Sequence, residues 1–183
     1  KEVFIMRRFN ARLIKIILIL LLFHALAGAF KLLGLNHLTF KPLSYAMLAL
    51  ILLHGFIGFF LSREAIRAGL ESAHWYFREN ASFWTVRISG LLILLLLWFH
   101  ITAYTVTLNG ILFLQEFTLL RFLSQLLFIA AILVHLIAAA KPWLLKQGIL
   151  AFKERTRDYI LIFTLSGLFC MAAVIFYFIY WNC

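Results

Sequence analysis

Acidic residues are scarce in this 183-residue chain, which has seven Asp and Glu against seventeen Lys and Arg. None of the seven lies within the five long apolar stretches that dominate the sequence, which argues against a side-chain carboxylate path for protons through them. The basic excess does not indicate nucleic-acid binding, because 65% of the residues are hydrophobic and only 13% are charged. A basic balance in so apolar a chain is typical of a membrane protein.

Cysteine is nearly absent, with only Cys170 and Cys183, and no C-x-x-C or C-x-x-C-H motif occurs. Iron–sulfur clusters need several thiolates and covalent c-type haem needs C-x-x-C-H, so the chain itself holds neither. We interpret Cys170 as a small buried apolar residue. The chain also has no glycine-rich nucleotide-binding loop, so flavin or nucleotide chemistry would lie on other subunits.

Apolar stretches are the main feature of the sequence, whose mean hydropathy is +1.02. Crossing a hydrocarbon core of about 30 Å takes about 20 helical residues. The stretches are rich in Leu, Ile and Phe without strand-like alternation, so we predict an all-α fold. The expected architecture is one membrane domain, residues 1–183, a bundle of five transmembrane helices. The predicted spans are 12–34, 43–62, 84–106, 119–140 and 159–181.

Lys and Arg are distributed unevenly between the two ends of the predicted bundle. Fourteen of them lie in the N-terminal segment and after the second and fourth spans, whereas only Lys31, Lys41 and Arg121 lie at the other end. The positive-inside rule then predicts a cytoplasmic N-terminus, an outer C-terminus and a multi-pass protein of the inner (cytoplasmic) membrane. Attraction to anionic membrane lipid explains the basic face without a protein partner. A docking surface for a soluble subunit is the alternative, and segment 63–87 is predicted to form an amphipathic helix at that interface.

Four histidines lie in the first four apolar spans, one in each: His24, His54, His100 and His135. A single one could be bonded to a neighbouring carbonyl, but four indicate a cofactor, an ion path or a proton relay. Counting about 1.5 Å per residue from the basic residue at the inner end of each span places His24 and His100 about 18–20 Å deep. His54 and His135 come out about 9–14 Å deep by the same count. Facing imidazoles at one depth are the arrangement that ligates haem b, so His24/His100 and His54/His135 are the predicted pairs.

Small residues lie beside three of these histidines, as a macrocycle close to a helix backbone requires. Ordinary helix packing is the alternative explanation. The haem propionates need basic partners near the membrane surfaces, and the candidates are Lys31, Arg87 and Lys141. The small residues are Gly28, Gly55, Gly58, Ser89 and Gly90.

Three motifs carry a family resemblance. They are Leu53-His54-Gly55-Phe56 followed by a basic segment, Ser89-Gly90 ten positions before His100, and Val134-His135-Leu136 followed by a basic stretch from Lys141. With these motifs the chain resembles the cytochrome b membrane anchor of succinate:quinone oxidoreductases, the succinate dehydrogenases and quinol:fumarate reductases, in its five-helix, diheme form.

The resemblance implies two haems b, with His24 and His100 as ligands of the distal one and His54 and His135 as ligands of the proximal one. It implies a flavoprotein and an iron–sulfur subunit on the cytoplasmic face, with the dicarboxylate active site on the flavoprotein. This chain would then carry no catalytic residue of its own and would exchange electrons with a membrane quinone, expected to be menaquinone. An oligomer of the whole complex is a further expectation.

The sequence departs from the family at two places. Some members have a glutamate two residues before the fourth-span histidine, where this chain has Leu133. Some use an acidic residue for quinol in the first outer loop, which here has none; His37 is the candidate replacement and Glu116 the competing one.

Two other functions stay open. One is a cytochrome b anchor of another quinone-linked enzyme, of the hydrogenase, formate dehydrogenase or heterodisulfide reductase type. The other is a non-redox membrane metal transporter. A transporter is expected to show carboxylates or amide side chains beside its histidines, of which the predicted spans offer few.

Overall fold

A computed structural model of the chain describes residues 2–36, 41–73, 75–108, 111–146 and 152–182. Between the third and fourth of its long helices, strands β1 (Thr105–Leu108) and β2 (Ile111–Leu114) pair antiparallel as a short hairpin. The helices are α1 (Glu2–Leu32), α2 (Lys41–Ser72), α3 (Ala81–Ile101), α4 (Leu119–Lys146) and α5 (Phe152–Asn182).

Each of the five helices contains a segment long and apolar enough to cross a membrane, so the prediction of five such helices is confirmed. Large apolar side chains lie exposed around the outside of the bundle, among them Phe59, Leu91 and Ile19. So much exposed apolar surface is unfavourable in water and suits contact with lipid. These features are those of a multi-pass membrane protein.

Two predicted boundaries are wrong. The third span was expected to reach residue 106, but α3 ends at Ile101 and the β-branched residues from Thr105 begin a strand. A separate amphipathic helix was expected within 63–87, but residues 63–72 continue α2. The chain turns only after Ser72, where Ala73 and Tyr76 have positive φ angles of 54° and 44°. Arg, Glu, Ala and Leu in 63–72 are good helix formers, so the helix extends beyond its apolar part.

The helices pack in a ring that follows chain order. Helix α1 packs on α2 and α5, α4 packs on α3 and α5, and α2 packs loosely on α3. Within the described ranges, no comparable contact joins α1 to α3 or α2 to α4. The four histidine-bearing helices therefore face one another across the bundle in the same combinations as the predicted pairs.

Small and apolar side chains hold the ring together. Leu96 and Leu97 of α3 pack on Phe128 and Ala131 of α4. Helix α5 approaches α4 closely at Gly167, where an added Cβ would lie 2.6 Å from a methyl carbon of Leu133. The position at which some family members have a glutamate is therefore an apolar packing position here.

A proline lies inside α4, and a side chain of α3 donates to the backbone carbonyl that the proline cannot reach. Pro142 has no backbone N–H, so the carbonyl of Ala138 four residues earlier has no helical donor. The hydroxyl of Ser82, in the first turn of α3, donates to that carbonyl at 2.9 Å. The proline thus turns an intrahelical hydrogen bond into one between α3 and α4.

Candidate functional site

The structure brings the four intramembrane histidines together as two pairs. The ring centroids of His24 (α1) and His100 (α3) are 6.1 Å apart with an interplanar angle of 71°. Those of His54 (α2) and His135 (α4) are 6.4 Å apart at 89°. These are the pairs that depth along the helices predicts, and each pair spans the bundle between helices that do not pack on each other.

The separation within each pair fits one metal ion between two imidazoles. A metal–imidazole bond of about 2 Å, plus about 1 Å from nitrogen to ring centroid on each side, puts two opposed centroids about 6 Å apart. Two axial imidazoles are a ligand set that haem iron takes. A zinc site draws three or four ligands from protein, and no group of three His, Cys, Asp or Glu that could hold a metal occurs in the described part of the chain. The pairs therefore fit haem better than a bare ion, and haem ligation stays a prediction.

Each imidazole is also positioned by a polar side chain of the next helix through its Nδ1. Two of the rings contact an amide oxygen, that of Asn10 or of Gln125. The other two contact a hydroxyl, that of Ser44 or of Ser89. The distances are 2.9 Å for His54 to Asn10 Oδ1, 2.8 Å for His100 to Gln125 Oε1, 3.1 Å for His135 to Ser89 Oγ and 3.5 Å for His24 to Ser44 Oγ.

These contacts assign the proton of three rings to Nδ1. An amide oxygen only accepts, so Nδ1 of His54 and of His100 must donate. The Ser89 hydroxyl already donates to the carbonyl of Thr85 at 2.5 Å, so it accepts from Nδ1 of His135. Nε2 is then the nitrogen with a lone pair for a metal, and a hydrogen bond at the other nitrogen is what metal-bound histidines have.

The contacts follow a reciprocal pattern between neighbouring helices. In α1 and α2, and again in α3 and α4, each helix supplies a histidine at one level and the polar partner of its neighbour's histidine at the other level. The histidine and the polar residue of one helix are 10 residues apart in α2 and α4, 11 in α3 and 14 in α1, so the two levels are about 15–21 Å apart along the bundle.

This separation is wider than the depths counted from the sequence imply. Asn10 contacts His54, so the inner pair lies level with the first part of α1 and Arg12 does not mark the inner surface. Helix α1 extends from Glu2, well beyond the predicted start at residue 12.

Sequence reasoning missed three of the four polar partners: Asn10, Ser44 and Gln125. The predicted spans contain one amide side chain, Gln125, and it lies beside a histidine; Asn10 precedes the first predicted span and lies beside another. Their signal in the sequence is spacing: the polar residue and the histidine of one helix are 10 to 14 positions apart, which puts them about 20–80° apart around the helix, on adjoining parts of its surface.

Ser89 and, among the candidate glycines, Gly90 are the small residues that the structure places against a ligand ring. A Cβ at Gly90 would lie 3.3 Å from Cε1 of His135, whereas at Gly55 it would meet Leu94 at 3.1 Å. At Gly28 and Gly58 an added Cβ would meet nothing within 4 Å, so both positions leave space beside their helices. Gly90 therefore makes room for the His135 ring.

The candidate propionate partners differ in their surroundings. Nε of Arg87 donates to the hydroxyl of Ser62 at 2.8 Å, and the guanidinium lies 4.1 Å from the centroid of the Phe83 ring. Ser62 is 1% exposed, so Arg87 is held inside the bundle two residues before Ser89. Lys31 lies exposed in the last turn of α1, and the side chain of Lys141 is outside the described part of the structure.

Of the two candidate quinone residues, His37 lies outside the described residues. Glu116 is exposed and lines a cleft of about 480 Å³ between the end of α3 and the start of α4, together with Arg121. Next to the cleft, Tyr104 lies 6.4 Å from His100 and stacks on Phe117 at 5.2 Å. Burial raises the pKa of Tyr104, so its phenol stays neutral at physiological pH.

No family model, no curated protein and no solved structure matches this chain. The family resemblance thus depends on the sequence motifs alone. The two histidine pairs are the feature of the structure that bears most directly on function.

Proposed function

We propose that this chain is a diheme cytochrome b membrane anchor, which transfers electrons between a cytoplasmic flavoprotein and iron–sulfur subunit pair and the membrane quinone. The observation that carries the proposal is the two histidine pairs, at 6.1 and 6.4 Å, with a polar partner at Nδ1 of every ring. His24 and His100 would hold the outer haem, and His54 and His135 the inner one. Haem b supplies one-electron transfer.

The chain's own residues do the positioning in this proposal. Asn10, Ser44, Ser89 and Gln125 fix the imidazoles so that Nε2 faces the metal. The apolar side chains around them exclude water, which stabilises a neutral, buried electron carrier. Arg87 is the propionate partner that the geometry favours, because Ser62 holds it on the inner side of His54 and His135.

Partners and membrane are part of the same proposal. The Lys and Arg distribution puts the N-terminus in the cytoplasm, and the basic end of α2, residues 63–72, then faces the soluble subunits. The membrane is the inner membrane of the cell. Because this chain has neither clustered cysteines nor a nucleotide-binding loop, succinate or fumarate would react on the flavoprotein.

The second candidate is a cytochrome b anchor for a hydrogenase, formate dehydrogenase or heterodisulfide reductase, since the same pairs would serve it. Docking at the cytoplasmic face favours the first proposal, because several of those partners work at the outer face. A metal transporter is less well supported, because each level offers two ligands where a closed ion site takes three or four.

The direct test is the dithionite-reduced minus oxidised spectrum with a pyridine haemochrome assay on the purified chain. We expect two haems b per chain, and one in each of the His24→Ala and His54→Ala variants. The double variant His24→Ala/His100→Ala should lose no more than His24→Ala alone, because both residues hold the same haem. His74→Ala, outside the apolar segments, is the matched control and should keep two. A chain without haem, or variants that each lose both haems, would contradict the proposal.

Partner identity needs a separate measurement. The tagged chain, extracted in mild detergent from its native membrane, should co-purify with a flavoprotein and a cysteine-rich iron–sulfur polypeptide that oxidise succinate or reduce fumarate. Recovery of a nickel- or molybdenum-containing partner instead would favour the second candidate.

A further inference from the structure

A cleft beside the outer histidine pair has no role in holding the rings. It lies between the end of α3 and the start of α4 and has a volume of about 480 Å³, within the range of small-molecule sites. Two of its walls are aromatic, Trp98 and Phe99, and polar groups of α4 and of the segment before it line the rest.

The cleft faces the lipid side of the bundle. Trp98 is 70% exposed and Leu120 is 71% exposed, and both lie at its rim on helices whose outer surfaces are apolar. A ligand with a long apolar tail thus has access from the membrane without crossing the bundle. The aromatic side chains offer flat surfaces on which a ring can stack.

The polar side of the cleft is organised around Arg121. Nη1 of its guanidinium donates to the backbone carbonyl of Glu116, which fixes the side chain over the cleft and uses one of its five N–H donors. Thr118 accepts a hydrogen bond from the backbone N–H of Arg121 at 3.5 Å and so caps the first turn of α4. The Glu116 side chain lines the same cleft. A donor and a carboxylate together suit a neutral ring whose oxygens accept hydrogen bonds and exchange protons.

The cleft connects directly to the outer histidine pair. Ser124 lines it and accepts a hydrogen bond from Nε2 of Gln125 at 3.2 Å. Oε1 of the same Gln125, which is 2% exposed, accepts from Nδ1 of His100 at 2.8 Å. Two hydrogen bonds therefore link the wall of the cleft to a predicted haem ligand.

We propose that this cleft binds the headgroup of a membrane quinone, with Arg121 donating to a ring carbonyl oxygen and Ser124–Gln125 coupling the occupied cleft to His100. The choice of ligand rests on the function proposed above, whereas the cleft and its link to His100 are features of the structure.

Trp98 provides a binding assay that needs no electron transfer. The purified full-length chain in lipid nanodiscs is titrated with 2,3-dimethyl-1,4-naphthoquinone while tryptophan fluorescence is recorded. We expect a saturable quenching component that Trp98→Phe removes and that Trp143→Phe, the matched change near the inner end of α4, retains. Quenching that does not saturate, or that survives Trp98→Phe, would overturn the proposal.

Two substitutions of Arg121 test whether its charge and its hydrogen-bonding geometry contribute to quinone binding. Arg121→Gln should weaken the quinone Kd at least about tenfold, the usual loss for a hydrogen bond to a charged donor, and Arg121→Lys should restore part of it. Lys41→Gln removes an exposed cation from the same end of the bundle, at the start of α2, and should leave Kd unchanged. Equal effects of Arg121→Gln and Lys41→Gln would mean that only surface charge attracts the ligand, which contradicts the site.

Ser124 separates binding from coupling, because Ser124→Ala removes the bond from Gln125 to the cleft wall and keeps the bond from Gln125 to His100. In Ser124→Ala the quinone should still quench Trp98, but the shift that it causes in the absorbance band of the outer haem should be lost. A shift that persists in Ser124→Ala would overturn the link through His100.

The two proposals fail in different ways. If the chain binds no haem but shows Trp98-dependent quenching, the cytochrome proposal is wrong and the cleft stands. If it binds two haems and shows no such quenching, the cleft proposal is wrong and the cytochrome proposal stands.

Discussion

A buried imidazole has two nitrogens to satisfy, and in this protein a neighbouring helix satisfies one of them on each of four rings. Each pair has one ring on an amide oxygen and one on a hydroxyl: Gln125 and Ser44 at the outer level, Asn10 and Ser89 at the inner level. Of the four partners, Gln125 has the least exposed side chain, at 2%. At the scale of single residues these partners decide which nitrogen is available to a metal.

Loss of one amide partner should affect one haem only. Gln125→Leu leaves Nδ1 of His100 without its acceptor, so the affinity of the outer site for haem should fall about 10- to 100-fold. Asn10→Leu should do the same at the inner site. The measurement is haem content per chain with a potentiometric titration. The affected haem is identified by comparison with His24→Ala, which should lack the outer haem, and with His54→Ala, which should lack the inner one.

Gln115→Leu is the matched control for that experiment. The Gln115 amide oxygen is buried without a hydrogen-bond partner, and the residue's contact with Tyr104 is through its backbone. Haem content in Gln115→Leu should equal that of the wild type. If Gln125→Leu depleted the inner haem instead, the assignment of partners to levels would be wrong.

At the scale of elements, the interface between α3 and α4 is the most extensive in the bundle and carries both a core cluster and the hydrogen bond from Ser82 to the carbonyl of Ala138. That bond exists because Pro142 cannot donate to Ala138. Close packing of α4 on α3 sets the relative height of these helices. It therefore sets the contacts of Ser89 with His135 and of Gln125 with His100.

The contribution of the Ser82 hydrogen bond to the free energy of unfolding should depend on Pro142. Ser82→Ala should destabilise the chain by about 0.5–1.5 kcal/mol, because the carbonyl of Ala138 loses the donor that replaces the missing N–H of Pro142. In a Pro142→Ala background the new N–H serves the carbonyl, so Ser82→Ala should cost clearly less. Unfolding in mixed micelles at increasing SDS measures both as a double-mutant cycle.

Ser166→Ala on α5 is the control for that cycle. Its hydroxyl donates to the carbonyl of Ile162 in its own helix, where a backbone N–H also donates. The variant should change stability by less than about 0.5 kcal/mol in either background. Equal costs for Ser82→Ala with and without Pro142 would show that the proline does not create the need for the bond.

At the scale of the whole molecule, the bundle has two chemically different ends. The ends of α2 and α4, the beginning of α1 and the beginning of α5 share most of the Lys and Arg residues. The other end has the hairpin β1–β2, the cleft with Arg121 and an apolar cluster around Phe117 and Tyr104. The basic end suits soluble subunits and anionic lipid, and the cleft suits a ligand that arrives through the membrane.

Orientation is open to a direct measurement. In a Cys170→Ser/Cys183→Ser background, Glu64→Cys on the extension of α2 and Glu116→Cys beside the cleft place single thiols at the two ends. Both positions are exposed in the structure. A membrane-impermeant maleimide added to intact cells should label Glu116→Cys and not Glu64→Cys, and inverted vesicles should give the opposite pattern. Labelling of Glu64→Cys in intact cells would reverse the orientation and place the cleft on the cytoplasmic side.

The sequence alone determined that there are five apolar helices and that each of the first four carries one histidine. The reason is that a run of about twenty apolar residues in lipid must satisfy its backbone within a helix, and that position along a helix is a matter of counting. Pairing of the histidines could be anticipated for the same reason. The helix ends were harder to predict, because residues 63–72 are good helix formers beyond the apolar stretch and α3 already ends at Ile101, before the β-branched residues of strand β1.

Only the tertiary structure decided which side chains meet the rings. Whether Asn10, Ser44 or Gln125 reaches a histidine depends on the rotation and height of the neighbouring helix, which packing fixes and local sequence does not. The same holds for Ser82 with Ala138 and for the cleft, where Trp98 of α3 and Arg121 of α4 line one space. The separation of about 15–21 Å between the two levels could likewise be counted only after those contacts showed which polar residue lies level with which histidine.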